Sequence, residues 1–142
     1  MSEGGGEAGR ITGGCLCGAV RYEATGEPSA MGFCDCADCR KASGSGFIPF
    51  VGFPAEAVQF SGEARQHRSP AFRGGEAVRN FCPRCGGLVF GGVVGESESH
   101  TIYAGSLDDP RAFRPTLVIF DRDRPAWVVT PPGLAVFDTM PG

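Results

Sequence analysis

The sequence offers no apolar run approaching the ~18 residues that a membrane-spanning helix requires, and its opening MSEGGGEAGR lacks the apolar centre of a secretory signal. Both absences predict a cytoplasmic protein with no membrane partner. Charge of one sign is also lacking: 13 Lys and Arg stand against 16 Asp and Glu, and the formal net charge of -3 gives no general attraction for nucleic acid. An anionic ligand would have to be held by a local cluster of Arg and Lys. Histidine is scarce; His67 and His100 are the only two, and neither stands in a motif. Each reads as an exposed or strand-face side chain. The chain carries no Ser-His-Asp set, phosphate-binding glycine loop or nucleotide fingerprint, and the Gly-rich GGLVFGGVVG lacks the strand-to-helix context such a loop needs.

What the chain does contain is frequent punctuation. Its 142 residues suit one domain, and 23 glycines with 11 prolines interrupt it too often for long helices. The pattern predicts a mainly β fold. Residues 1–10, rich in Gly and Glu, have little to bury and read as a disordered tail, with a single domain over 11–142. Strands are expected at 19–24, 46–53, 57–62, 77–82, 87–94, 100–105, 116–121 and 126–130, several with the period-two alternation of a sheet with one buried face. Helix is expected only from Ala37 to Ser43 and in a turn near Pro110, capped by Asp108 or Asp109. The PPG at 131–133 marks a turn before a closing segment.

Seven cysteines cannot all pair, and closely spaced thiols in a reducing compartment are more often metal ligands than disulfides. They fall into CLC at 15–17, CDC at 34–36 overlapping CADC at 36–39, and CPRC at 82–85. CPRC followed by Gly86 and Gly87 has the form of a zinc knuckle, in which a tight turn aims backbone N–H groups at sulfur. A knuckle supplies two ligands and needs a partner pair. Cys15 with Cys17, or Cys36 with Cys39, can complete it, and spacing does not choose between them. The intervals exceed the ~15–20 residues of a simple zinc ribbon, which predicts a site assembled across a sheet rather than a local finger. Seven thiols divide into four and three. Four ligands close a tetrahedral zinc, whereas three leave a position open. The simpler alternative is one zinc with spare cysteines.

The ordered motifs GGCLCGAVRYE, CDCADCRKASGSGF and FCPRCGG resemble the glutathione-dependent formaldehyde-activating enzymes and their relatives, among them centromere protein V. The resemblance runs from Gly13 to about Phe137. It implies a β-tent of stacked antiparallel sheets with short helical turns, stabilised by zinc. It further implies two zinc ions per chain: a structural one on Cys15, Cys17, Cys82 and Cys85, and a catalytic one on Cys34, Cys36 and Cys39. The activity implied is that of a carbon–sulfur lyase, joining an aldehyde to glutathione or a similar small thiol, or reversing that step. The alternative within the same resemblance is a non-catalytic zinc module that binds a ligand or protein partner. Asp35 and Val118 stand where relatives often have histidine.

Beside the central motif, Arg40 and Lys41 can offset the charge of a three-thiolate site or hold substrate carboxylates. Asp35, between two ligands, is a candidate proton carrier or an acceptor that orients backbone. Arg65, His67, Arg68 and Arg73 form a basic segment that reads as a solvated loop. Trp127 reads as a core or groove aromatic. The sequence leaves oligomeric state open.

Overall fold

The computed structural model describes residues 9–141, so residues 1–8 of the expected tail lie outside it, and Arg10 already belongs to the first strand. In chain order the strands are β1 (Arg10–Gly14), β2 (Arg21–Thr25), β3 (Ala30–Cys34), β4 (Ile48–Pro54), β5 (Val58–Ser61) and β6 (Arg65–Pro70). They continue with β7 (Glu76–Phe81), β8 (Leu88–Gly91), β9 (Ser99–Tyr103), β10 (Leu117–Ile119) and β11 (Ala135–Val136). The helix α1 (Ala37–Ser43) connects β3 to β4. The described residues form a three-stranded sheet, ordered β1-β2-β5, and an eight-stranded sheet, ordered β11-β10-β3-β4-β9-β8-β7-β6. The fold is therefore mainly β, as the sequence predicts. Pairing is antiparallel except at one edge, where β10 runs parallel to both β3 and β11.

Alternation along the middle strands assigns a role to each face of the large sheet. On β4, Val51 and Phe53 are buried against the small sheet, and on β9 His100 and Ile102 follow the same rule. They pack with Tyr22, Ala24 and Val58 from the small sheet in one core, each large apolar side chain contributing about 1.5–3 kcal/mol on burial. The intervening residues Ile48, Phe50, Thr101 and Tyr103 point to the opposite face, where they line a cleft. His100 thus ends in the core rather than at a site. Its Nδ1 lies 3.0 Å from the Gly91 carbonyl oxygen, and its ring meets Phe60 and Phe90 edge-on.

Three expectations need correction. Residues 126–130 are not a strand: between Pro125 and Pro131 the chain turns, with Val128 N–H donating to the Pro125 carbonyl at 3.0 Å and Arg124 donating to the Val128 carbonyl at 2.9 Å. Trp127 is 71% exposed on this turn, and one edge of its ring lies with Val128 beside Gly46. The basic segment around His67 is the edge strand β6, because its backbone has β7 to pair with and its charges remain in solvent.

The sheets are stitched near β1. Asp108 accepts from Thr12 Oγ1 at 2.7 Å and from Arg21 Nη1 at 2.9 Å, and its own N–H donates to the Thr12 carbonyl at 2.9 Å. Arg21, helped by Thr12, holds the Asp108 carboxyl below its ordinary value of 3.8. A carboxyl with a lowered folded pKa contributes stability that is fully present above the unfolded value and lost as pH falls through the folded one. Both side chains are more than a third exposed, so solvent weakens the pair. Asp108→Asn is expected to lower the urea midpoint slightly at pH above ~5, with the gap to wild type closing below pH ~3. A gap that persists in acid would show that the pair does not act through charge.

Candidate metal centres and the cleft

Two loops of the same design carry the first cysteine cluster. In residues 15–20, Cys15 N–H donates to the Val20 carbonyl at 3.0 Å, and Val20 N–H donates to Cys15 Sγ at 3.3 Å. In residues 82–87, Cys82 N–H donates to the Gly87 carbonyl at 3.0 Å, and Arg84 N–H donates to Cys82 Sγ at 3.3 Å. Gly86, at φ 77°, takes the left-handed conformation that closes the second loop and that a side chain would strain. The loops face one another, and the sulfurs of Cys15, Cys17, Cys82 and Cys85 all lie within 4.8 Å of each other. Of the two partners open to the CPRC knuckle, the structure brings the CLC pair.

The spacing suits a tetrahedral ion. A zinc–sulfur distance of about 2.3 Å requires sulfurs about 3.8 Å apart along each tetrahedral edge. Cys15 and Cys17 are 3.8 Å apart, and Cys17 and Cys82 are 3.7 Å apart. Burial pushes the Cys15 thiol up, but the Val20 N–H and the neighbouring thiols outweigh it and bring it to about 6. A donor set of thiolates supported by N–H groups fits zinc or a similarly soft ion. All the cysteines are free thiols.

The second cluster is built where β3 passes into α1. Cys34 ends the strand, Cys36 caps the helix by accepting from Cys39 N–H at 3.2 Å, and Cys39 stands in the helix's first turn. Their sulfurs also lie within 4.8 Å of one another, and among the described residues no fourth Cys, His, Asp or Glu joins them. The trio shares its protons: hydrogen bonds from Cys34 and Cys39 draw Cys36 down to about 2, and the same interaction pushes Cys34 up. This too fits a thiolate-bound ion, with one coordination position left for something other than protein.

The trio lies in the wall of a cleft of about 830 Å³ on the face of the large sheet turned away from the core. One side of the cleft is the turn between β6 and β7; the other is the chain around Phe120 and Pro141. Phe72 meets Phe120 edge-on at 5.0 Å, Arg122 lies over the Phe72 ring at 5.6 Å, and Arg73 donates to the Pro141 carbonyl at 3.0 Å. Phe120 is held at φ 61°, an unfavourable conformation for a side chain of its size, while its N–H donates to the Thr139 carbonyl at 3.0 Å.

Two cleft residues had no motif to mark them. Arg79 on β7 donates to Ser69 Oγ at 3.2 Å and interacts with Cys39, placing a positive charge beside the trio. Tyr103 ends β9 on the same face. The only sequence signal for either is its place in an alternating strand. The flanking candidates fall elsewhere: Asp35 is 2% exposed and does not line the cleft. Burial, then repulsion from Asp121, raises its carboxyl to about 6, and its Oδ2 has no hydrogen-bond partner among the described residues. Lys41 lines a neighbouring cavity of about 420 Å³ with His67 and Ser69, and Arg40 lines neither space. Val118 is buried, and its strand neighbours Leu117 and Ile119 face the cleft instead. Among the described residues, no helix is long and apolar enough to cross a membrane.

Comparison with known proteins identifies a relation over most of the chain. A profile of the family described as glutathione-dependent formaldehyde-activating enzyme matches residues 10–123. A solved crystal structure of a Rhodobacter sphaeroides protein shares the fold, with a TM-score of 0.53 at 21% identity over 71% of this chain and 93% of that one.

The clusters share no residue. Cys39→Ser is expected to lower the metal-to-protein ratio, measured by mass spectrometry of the elements, by about one ion while leaving the circular dichroism spectrum unchanged. Cys82→Ser is expected to remove the other ion and lower the melting temperature sharply, because metal affinity at a site that joins two loops of the fold is also folding free energy. Equal loss of fold in both variants would contradict this division.

Proposed function

Since the chain belongs to the glutathione-dependent formaldehyde-activating enzyme family, we propose that it is a zinc-dependent carbon–sulfur lyase, forming or cleaving an S-hydroxymethyl adduct of glutathione or a similar small thiol. In this reading it binds two zinc ions and works in the cytoplasm, where a reducing environment keeps the thiols available. Cys15, Cys17, Cys82 and Cys85 hold a structural ion. Cys34, Cys36 and Cys39 hold the catalytic one. When bound there, zinc supplies Lewis acidity and stabilises a thiolate.

The observation that carries the reading is the placing of the three-sulfur cluster in the wall of a cleft of about 830 Å³. That volume falls within the ~300–1,000 Å³ typical of small-molecule sites. The chain's own residues give the space a chemistry suited to a small peptide thiol. Arg73 and Arg122 at the mouth offer cations for substrate carboxylates. Phe72, Phe120 and Ile119 give the lining an apolar part. Arg79 offsets negative charge on Cys39. Of the two cations after the central motif, Lys41 is the better placed to extend this recognition, from the adjoining cavity that also reaches Arg79. Nucleic acid and membrane are not partners in this reading.

Glutathione and formaldehyde combine spontaneously, so the test is acceleration. Exchange NMR of the two reactants should show faster adduct exchange with the wild-type protein, and the added exchange should vanish with Cys39→Ser. No acceleration with any of a panel of small thiols would overturn the lyase reading in favour of a module that binds a ligand or protein.

A further inference from the structure

Neither place where relatives often carry histidine faces the cleft: Asp35 is buried behind it, and Val118 points to the opposite side of β10. A polar hydrogen on the cleft wall must therefore come from elsewhere. Tyr103 stands on the cleft face of β9 with its ring laid across β8, where a Cβ on Gly91 would lie only 3.1 Å from its hydroxyl oxygen. Gly91 is paired with Arg79 in the sheet, and the Arg79 charge interacts with Cys39. The missing side chain at Gly91 thus lets the phenol reach across a strand toward the residue that touches the trio. The Tyr22 hydroxyl, by contrast, is engaged with Ser106 Oγ at 2.7 Å. No described residue makes a hydrogen bond to the hydroxyl of Tyr103, which opens into the cleft.

We propose that Tyr103 is a catalytic residue whose hydroxyl donates a hydrogen bond to the substrate oxygen, carbonyl in the aldehyde and hydroxyl in the thiol adduct. The assignment rests on the carbon–sulfur chemistry proposed above. In the forward direction the thiol S–H bond breaks and the S–C bond forms. The carbonyl π pair moves to oxygen, which ends with the proton that sulfur released. Thiol and aldehyde account for every atom, and nothing is oxidised or reduced. Tyr103 stabilises the negative charge that builds on oxygen and keeps its own proton. Burial raises its pKa, which favours a phenol that stays protonated throughout.

Tyr103→Phe removes the hydroxyl and no other atom. It is expected to reduce kcat about 100-fold while KM for the thiol changes by less than ~3-fold and metal content stays constant. A purely structural tyrosine would not give that split. A second measurement uses the wild-type sequence labelled with fluorotyrosine. The chain has 2 tyrosines, so each fluorine signal can be assigned. The Tyr103 signal should shift when glutathione and formaldehyde are both present and stay in place with glutathione alone, while Tyr22 serves as the internal control. Wild-type kcat in Tyr103→Phe, or a Tyr103 signal that ignores the aldehyde, would overturn this assignment and leave the lyase reading intact. A wild-type protein that accelerates nothing would overturn both.

Discussion

Cys17 and Cys82 are 65 positions apart in the chain, yet their sulfurs approach to 3.7 Å, and most of the architecture follows from that clasp. The first loop leads into β2 of the small sheet, and the second lies between β7 and β8 of the large one. Holding them together fixes the small sheet over the middle of the large sheet. This seals Tyr22, Ala24, Val51, Phe53 and Ile102 between them. With one face of the large sheet committed to the core, its other face becomes a free wall. The second cysteine cluster stands on that wall. The two clusters are thus placed differently: four cysteines join the loops of the two sheets, and three stand in the wall of the cleft.

The local electrostatics follow the same division. At the clasp, backbone N–H groups of the loops themselves support the sulfurs. At the trio, support also comes from a side chain far away in sequence, Arg79 on β7. Negative charge on the trio is therefore met by a cation fixed in a sheet. That is a more rigid mount than a loop would provide. Arg73 and Arg122 are held differently, Arg73 by the Pro141 carbonyl and Arg122 by the Phe72 ring and by Asp123 at 3.9 Å. These are weaker restraints, suited to groups that adjust to a ligand.

Much of this was legible in the sequence because it is local. The helix from Ala37 to Ser43 is found at those bounds, since the cysteine cap and the glycine after Ser43 define a single short turn of chain. The thiol groups were visible for the same reason, although their pairing was not: spacing cannot say which loops the sheets bring face to face. Edge strand β6 was hidden by its own composition, because Arg65, His67 and Arg68 look like a loop until β7 supplies hydrogen bonds. Arg79 and Tyr103 are ordinary members of alternating strands. Their importance depends on which face is the cleft, and the assembly of two sheets decides that. Trp127 misled for the opposite reason: prolines on either side of its segment prevent the extended pairing that its apolar residues suggest.

The outer edges of the large sheet have a consequence for the crowded protein. One edge is β11, only 2 residues long, and the other is β6, whose cationic side chains stand in solvent. A strand from a second molecule that tried to extend the ladder would find either almost no length to pair with or a row of charges to desolvate. Both ends of the large sheet are thus poor templates for pairing with a second chain.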